Sequence, residues 1–194
     1  MKDYQGDVFS ISVEELLRYS VSHSDNNACD LLFELIGGPK ALHNYLRSIG
    51  IQETAVVANE RQMHADDAIQ YQNWTSMKAA VQLLQLFVQK KLLSDKSQAL
   101  LWQWLVETTT GPKRLKGLLP ADVIVAHKTG TSGVRNAMTA ATNDIGVMLL
   151  PDGRPLLVAV LVKDSAEPAA VNEAIIARIA QVAYQYHLKL LALK

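Results

Sequence analysis

The chain has 194 residues, the length of one domain, and 49% of them are apolar, which is enough for a hydrophobic core and too many for intrinsic disorder. Nineteen Lys and Arg residues balance nineteen Asp and Glu residues, and no block of like charge stands out, so the composition supports neither a nucleic-acid-binding nor a membrane-surface protein. The single cysteine excludes an internal disulfide bond.

The chain shows no sequence signal for a membrane or for export. The longest purely apolar run, residues 156–162, has seven residues and is far too short to span a bilayer. The start, Met-Lys-Asp-Tyr-Gln-Gly-Asp, is not followed by an apolar stretch. We therefore expect no signal peptide, and a cytoplasmic location for the chain as expressed.

The region of about residues 12–120 is predicted to be mainly helical. Ser12 to Glu15 has the pattern of a capping box in front of an apolar stripe. Apolar residues at helical spacing, with cap or stop residues, predict four more helices: around Ala28, after Pro39, from about Ser76 and after Ser94.

A segment without clean periodicity, residues 51–74, interrupts this helical region. It is long for a loop in a compact domain, and such loops are usually functional or disordered. Its mixture of carboxylate, amide, imidazole and aromatic side chains is unlike a free linker. We therefore predict a structured, functional loop.

The last part, about residues 121–190, changes to strand-forming residues. Segments 123–131, 140–150 and 155–162 are rich in Val, Ile, Leu and Thr and predict three strands, with a turn at 151–154 between the last two. A long helix is predicted from Ala170 to about Leu188. One face of it would carry Val171, Ala174, Ile175, Ile179, Val182, Ala183 and Tyr186. Helices followed by an antiparallel sheet and a closing helix indicate a single α+β domain over residues 1–194.

Three short elements carry candidate chemistry: Ser24-Asp25-Asn26 at the start of a helix, Glu60 in the long loop, and Lys128-Thr129-Gly130-Thr131 on a strand. Each also has an ordinary explanation. The first is a good helix cap in any protein, and a loop carboxylate or a strand lysine is usually solvated. Together, however, Ser-Asp-Asn and Lys-Thr-Gly are motifs of serine β-lactamases and penicillin-binding proteins.

From Tyr4 to about Lys189 the chain resembles the C-terminal two thirds of a class A β-lactamase of the extended-spectrum, PER-like branch. The segments that carry the resemblance are residues 21–26, 58–64, 71–74, 107–112 and 126–132. The resemblance implies a β-lactamase/transpeptidase-like fold with a helical subdomain and an antiparallel sheet. It also implies a β-lactam as the small-molecule substrate, and a periplasmic location for the parent family.

The resemblance assigns catalytic roles to four residues. Ser24 would relay a proton to the leaving β-lactam nitrogen, and Lys128 would polarise that serine and attract the substrate carboxylate. The backbone N–H of Thr131 would be one of two oxyanion-hole donors. Glu60 would activate the water that hydrolyses the acyl-enzyme.

Other residues would bind the substrate. Asn26 would hold the acyl-amide side chain, Thr129 and Thr131 would hydrogen-bond the carboxylate, and Gly130 would let the substrate lie close to the strand. Arg114 is a candidate second cation for the carboxylate. Its alternative interpretation is a surface arginine in a short turn.

The long loop departs from the common family pattern. Ala58 and Asn73 stand where most relatives have an arginine–aspartate ion pair, so that pair cannot form here. His64 stands where an asparagine usually helps to hold the water. The PER-like branch shares these changes and has a roomier site, which suggests bulky oxyimino-cephalosporins as substrates.

We predict neither a metal site nor a cofactor. His64, Asp66 and Asp67 suggest a metal site by residue type, but their spacing matches no ligand pattern.

The family's nucleophile, in Ser-x-x-Lys, has no match in this chain. No serine is followed by lysine three positions later; the look-alikes Thr75–Lys78 and Thr110–Lys113 both follow Ser24, whereas the family's motif precedes it, and only 23 residues precede Ser24. We therefore expect a truncated domain without the nucleophile helix and the first strands. It would be inactive until the missing N-terminal segment is supplied, and the open edge of strand 155–162 would favour self-association.

Three functions remain open. The chain is the larger part of a β-lactamase, a fragment of a penicillin-binding transpeptidase or carboxypeptidase, or a non-enzymatic truncated fragment whose surface binds other chains. Glu60 argues against the second, because those enzymes lack the deacylating glutamate.

Overall fold

A computed structural model describes residues 10–193, so the start of the resemblance at Tyr4 and the segment interpreted as lacking a signal peptide lie outside the described residues. The chain divides into two compact units, one up to Gln82 and the other from Leu83 onward. The division falls inside a helix, not near residue 120, where the sequence changes from predicted helices to predicted strands.

The first unit is mainly helical. Its elements are α1 (Val13–Ser22), α2 (Asn26–Ile36), α3 (Pro39–Ser48), strand β1 (Thr54–Ala55), α4 (Glu60–Ala65), a 3-10 turn (Ile69–Gln72) and strand β2 (Trp74–Thr75). The predicted capping box is present, because the Ser12 hydroxyl accepts from Glu15 N and the Glu15 carboxylate accepts from Ser12 N. Gly37 ends α2 with a φ of 92°, a left-handed conformation that glycine adopts without steric penalty.

The long loop of the first unit is structured, as predicted. Strands β1 and β2 pair antiparallel at its two ends, with Thr54 opposite Thr75 and Ala55 opposite Trp74. Helix α4 and the 3-10 turn lie between them. The segment lacks periodicity because none of these elements exceeds six residues.

The second unit combines helices with an antiparallel sheet. Helix α5 (Met77–Val88) contains the division between the units, and the elements that follow are α6 (Asp95–Val106), β3 (Val125–Thr131), β4 (Val134–Arg135), β5 (Met138–Leu149), β6 (Pro155–Ser165) and α7 (Ala169–Ala192). Strand β5 pairs with β3 and β4 on one edge and with β6 on the other. The α+β class is confirmed.

The predicted count of three strands is wrong, because β4 adds a short fourth strand. It pairs through Val134 with Thr139 and through Arg135 with Met138. The connecting residues Asn136 and Ala137 both have positive φ, 49° and 58°. A two-residue hairpin turn of this kind usually contains glycine. Because residues 136 and 137 are not glycine, the sequence did not predict the turn or the short strand before it.

The core of the second unit lies between the sheet and α7. Its buried members are Leu115, Val125, Met148, Leu150, Val158, Val160, Ile176, Ala180 and Tyr184. The side of α7 that is buried carries Asn172, Ile176, Ala177, Ala180 and Tyr184. The small residues among them let the helix approach the sheet closely.

The apolar face that we predicted for α7 is largely exposed. Val171, Ile175, Ile179, Val182 and Tyr186 have 40–59% of their surface exposed. Apolar residues lie on all sides of this helix, and we predicted that its stripe of bulky residues would be buried. The sheet instead packs against the stripe that contains small residues. Within residues 10–193, no helix has the length and apolar composition needed to cross a membrane.

Candidate active site

The predicted site residues fall into two groups. The first unit holds Ser24, Asn26, Glu60 and His64, and the second holds Arg114, Lys128, Thr129, Gly130 and Thr131. Each group is described within its own unit.

The Ser24-Asp25-Asn26 motif connects α1 to α2. Asp25 is the cap of α2, because its Oδ1 accepts a hydrogen bond of 2.9 Å from Ala28 N. Ser24, directly before it, has a φ of 53°. Left-handed backbone is strained for a non-glycine residue, and such strain clusters at functional sites. Helix capping therefore explains Asp25 but not the conformation of Ser24.

Glu60 is the first residue of α4, and a buried carboxylate of α2 holds its backbone. Asp30, 5% exposed, accepts hydrogen bonds of 2.8 Å from Glu60 N and 3.0 Å from Arg61 N. Asn59 caps the same helix end by accepting from Gln62 N. Charge-assisted bonds to backbone N–H groups are strong and directional, so Asp30 fixes where α4 begins and where Glu60 stands.

Asn73, at one of the two positions where the resemblance implies that no ion pair can form, is bonded across the long loop. Its Oδ1 accepts from Val57 N at 2.8 Å and Ala58 N at 3.0 Å, and its Nδ2 donates to Ala58 O at 2.8 Å. Thr54 Oγ1 adds a hydrogen bond to Trp74 O at 3.0 Å. A neutral amide bonded to the backbone thus closes the loop.

The structure brings two predicted substrate-side residues into contact. Asn26 Nδ2, at the start of α2, lies 3.0 Å from His64 Nε2 on α4. An amide nitrogen can donate to a ring nitrogen that carries no proton. Both side chains are exposed, and the bond couples the start of α2 to the long loop.

The Lys-Thr-Gly motif lies on a strand, as predicted, and occupies the second half of β3. Lys128 is partly buried and its Nζ donates to Thr129 O at 2.8 Å. The buried Thr129 hydroxyl shares a hydrogen bond of 2.6 Å with Thr110. A side chain at Gly111, whose φ is 61°, would lie 2.6 Å from Thr129 Cγ2. The turn after α6 therefore packs tightly against this motif only because residue 111 is glycine.

Gly130 is exposed, and a Cβ built on it would meet only Asn143 Cβ, at 4.0 Å. The atoms of residues 10–193 therefore leave open space beside the strand at this residue. That space is what the predicted approach of a substrate to the strand requires.

Arg114 is buried, so its interpretation as a surface residue is wrong. It is 7% exposed, and its guanidinium donates to Thr131 Oγ1 at 2.6 Å, to Asn143 O at 2.9 Å and to Gly130 O at 3.2 Å. Glu173 on α7 lies 3.4 Å from its Nε. Arg114 thus holds the end of β3 at Gly130 and Thr131, where the resemblance places the carboxylate of the substrate.

Asp30 was not predicted as a functional residue. The available signal was a carboxylate between the apolar pairs Ala28-Cys29 and Leu31-Leu32 of α2. In the part of the chain that the structure describes, no group of three or more His, Cys, Asp or Glu side chains is arranged to hold a metal ion.

Comparisons with known proteins agree with this arrangement. A model described as "Beta-lactamase enzyme family" matches residues 2–187. The extended-spectrum beta-lactamase PER-1 of Pseudomonas aeruginosa is 71% identical over 99% of this chain and 62% of its own length, and the beta-lactamase VEB-1 of the same species is 45% identical over 92% and 60%.

Solved structures match as well. The TLA-3 extended-spectrum beta-lactamase has a TM-score of 0.90 and 47% identity, covering 91% of this chain and 64% of that protein. A beta-lactamase from Chitinophaga pinensis has a TM-score of 0.90 and 45% identity, covering 91% and 66%.

The chain spans less than two thirds of the length of these relatives. The match nevertheless covers nearly the whole chain and includes the α+β fold. The chain belongs to the beta-lactamase enzyme family, within class A, and its 71% identity to PER-1 supports the PER-like branch.

Proposed function

We propose that this chain supplies the substrate-binding and deacylating residues of a class A β-lactamase, and that it hydrolyses β-lactams only when a segment with the serine nucleophile is added. The observation that carries the proposal is Glu60 at the first turn of α4, with its backbone held by the buried Asp30. A general base must be fixed relative to the water that it activates. The family membership supports β-lactam hydrolysis as the reaction.

The first group of residues would act on the reacting bond. Glu60 would take a proton from the water that attacks the acyl-enzyme, and Ser24 would pass a proton to the leaving nitrogen. The strained backbone of Ser24 supports this role, because strain is retained where geometry matters more than stability. Asn26 would bind the acyl-amide side chain of the substrate.

The second group would bind the negative end of the substrate and the developing oxyanion. Lys128 and the buried Arg114 supply positive charge near the end of β3, and Thr129 and Thr131 supply hydroxyl groups. The Thr131 N–H would be one oxyanion donor, and the other would come from the backbone of the nucleophile.

The chain alone should not turn over β-lactams. None of its serines is followed by lysine three positions later, so no activated serine is present to form the acyl-enzyme. The extended-spectrum name of PER-1 and the amide-closed loop support oxyimino-cephalosporins as substrates of the complemented enzyme.

The penicillin-binding alternative is weaker, because its enzymes do not use a deacylating glutamate, whereas Glu60 is present here and begins a helix. The non-enzymatic alternative predicts no turnover under any condition.

Hydrolysis of nitrocefin by the chain, with and without the N-terminal third of PER-1 supplied as a fusion or a second polypeptide, separates these possibilities. We expect turnover only in the complemented form, with loss of turnover on Glu60→Ala. Turnover by the pure chain would contradict the proposal, and so would its absence from a folded complemented form.

A further inference from the structure

Two titratable side chains of the second unit are enclosed and touch each other beside the Lys-Thr-Gly motif. His127, which precedes Lys128 on β3, is 1% exposed, and Asp144 on β5 is 0% exposed. The His127 Nδ1 lies 2.9 Å from both carboxylate oxygens of Asp144. Burial of two such groups is unfavourable unless each finds a partner, and the mechanism above uses neither.

The pairing of β3 with β5 explains the contact. His127 is opposite Gly146 and Thr129 is opposite Asp144, so His127 and Asp144 are diagonal neighbours on one face of the sheet. A Cβ on Gly146 would lie 2.7 Å from His127 Cβ and 2.5 Å from Ala126 O. Only glycine therefore lets the two strands approach this closely beside the histidine.

Asp144 also holds a third segment. Its Oδ2 accepts a hydrogen bond of 3.1 Å from Leu115 N, the residue after Arg114 in the turn that follows α6. His127 itself is tied to the segment just after α6, because Thr108 Oγ1 donates to His127 O at 2.8 Å. The pair therefore connects β3, β5 and the turn that carries Arg114.

The Asp144 carboxyl group is bonded on more than one side. Leu115 N donates to Asp144 Oδ2, and a carboxylate can also accept a bond from His127 Nδ1–H. Burial lowers the pKa of Lys116, and the negative charge of Asp144 opposes part of that decrease. The Nζ of Lys116 donates to Val106 O at 3.1 Å. A carboxylate that is bonded on several sides is a rigid connection and not a mobile group.

The histidine carries an unfavourable feature that packing alone does not explain. Its Nε2 is buried and has no hydrogen-bond partner among the described residues. An apolar side chain of similar volume would fill the same space without a buried, unpaired nitrogen. The bond from Nδ1 to Asp144 is therefore the feature that distinguishes histidine at this position.

We propose that the buried His127–Asp144 pair is the positioning unit of the substrate-carboxylate subsite. By fixing the Arg114 turn to β3 and β5, the pair sets where Arg114 and Thr131 present their polar groups. Neither residue touches the substrate; both act through Arg114. The proposal rests on the proposed function, since it assumes that this subsite binds the β-lactam carboxylate.

The test compares nitrocefin with its C4 methyl ester, which lacks the negative charge, using the chain complemented with the N-terminal third of PER-1. His127→Leu removes the donor, and we expect it to lower the preference for the free acid over the ester, in kcat/KM, at least tenfold. Most of that loss should be a higher KM for the acid, because carboxylate binding contributes to both the ground state and the transition state.

Two further variants separate positioning from stability. His127→Asn places an amide N–H near the position of Nδ1–H, and we expect it to keep the acid preference within threefold of the parent. Met148→Ala, at a fully buried residue of the same strand β5, should lower the unfolding midpoint and leave the preference unchanged. If His127→Leu and Met148→Ala have the same preference as the parent, the proposal is overturned.

Amide exchange of the 194-residue chain provides a readout that does not depend on turnover. In His127→Leu, exchange at the Leu115 amide should accelerate at least tenfold relative to the Val147 amide of β5, whereas Met148→Ala should leave that ratio unchanged. An unchanged ratio in His127→Leu would overturn the proposal even if the complemented enzyme is inactive. An inactive complemented parent with the expected change in exchange would instead contradict only the proposed function.

Discussion

Removing the Asp30 carboxylate should destabilise the start of α4 and displace Glu60. Asp30 is 5% exposed and accepts from Glu60 N at 2.8 Å and Arg61 N at 3.0 Å. Asp30→Ala leaves two donors without a partner and loses two bonds to a charged acceptor, which together cost about 2–4 kcal/mol after partial compensation by water. Asp30→Asn keeps one acceptor and should cost about half of that. Urea unfolding of the chain measures both values.

Gln62→Ala is the matched control, because it removes an exposed capping contact of the same helix, from Asn59 N to Gln62 Oε1 at 3.0 Å. As a surface change it should cost no more than about 0.5 kcal/mol. Amide exchange at Glu60 and Arg61 should accelerate in Asp30→Ala and hardly change in Gln62→Ala. Equal losses of stability in the two variants would refute the reasoning that the buried carboxylate holds α4.

Two more predictions concern the second unit. In the complemented enzyme, Lys128→Ala should lower kcat/KM on the order of 10²–10³-fold, as loss of an aimed charged group does. The control Lys163→Ala, at a lysine near the end of β6, should leave kcat/KM unchanged. Near-normal turnover of Lys128→Ala would contradict the assignment of Lys128 to the site. The chain alone should self-associate through the exposed apolar stripe of α7 and the outer edge of β6, which pairs with no strand among residues 10–193. Light scattering should show less association for Ile175→Lys and Ile179→Lys than for the control Gln185→Lys, and a monodisperse parent chain would contradict this.

Local signals predicted much of the fold. Ser12 and Ser94 cap their helices as expected, because a cap is decided by residues within one turn of the chain. The hairpin between β5 and β6 was also predicted and is confirmed, with Leu150 N donating to Arg154 O at 2.9 Å. Pro, Asp and Gly each favour turn conformations, so the sequence alone indicates this turn.

The side of α7 that packs on the sheet could not be predicted in the same way. Two apolar stripes run along this helix, and the choice between them depends on which fits the sheet. Ala177 and Ala180, with 2% and 0% exposure, allow close approach, whereas bulky Ile179 remains 46% exposed. Periodicity finds both stripes but does not rank them.

The motifs of the candidate site were found from the sequence, but the buried residues that hold these motifs in place were not. Asp30 contacts residues 30 and 31 positions later, and Arg114 contacts Gly130 and Thr131, 16 and 17 positions later. Such contacts depend on how helices, strands and turns pack together, and this packing cannot be predicted from a single sequence. The ordinary interpretation of Arg114 as a surface residue failed for this reason.

The most direct test of the central claim is intact-protein mass spectrometry of the complemented enzyme carrying Glu60→Ala, after exposure to an oxyimino-cephalosporin. If Glu60 activates the deacylating water, acylation proceeds, hydrolysis stalls, and a stable adduct appears that the parent lacks. Absence of an adduct together with loss of turnover would contradict a role confined to deacylation. Turnover equal to that of the parent would contradict any role for Glu60.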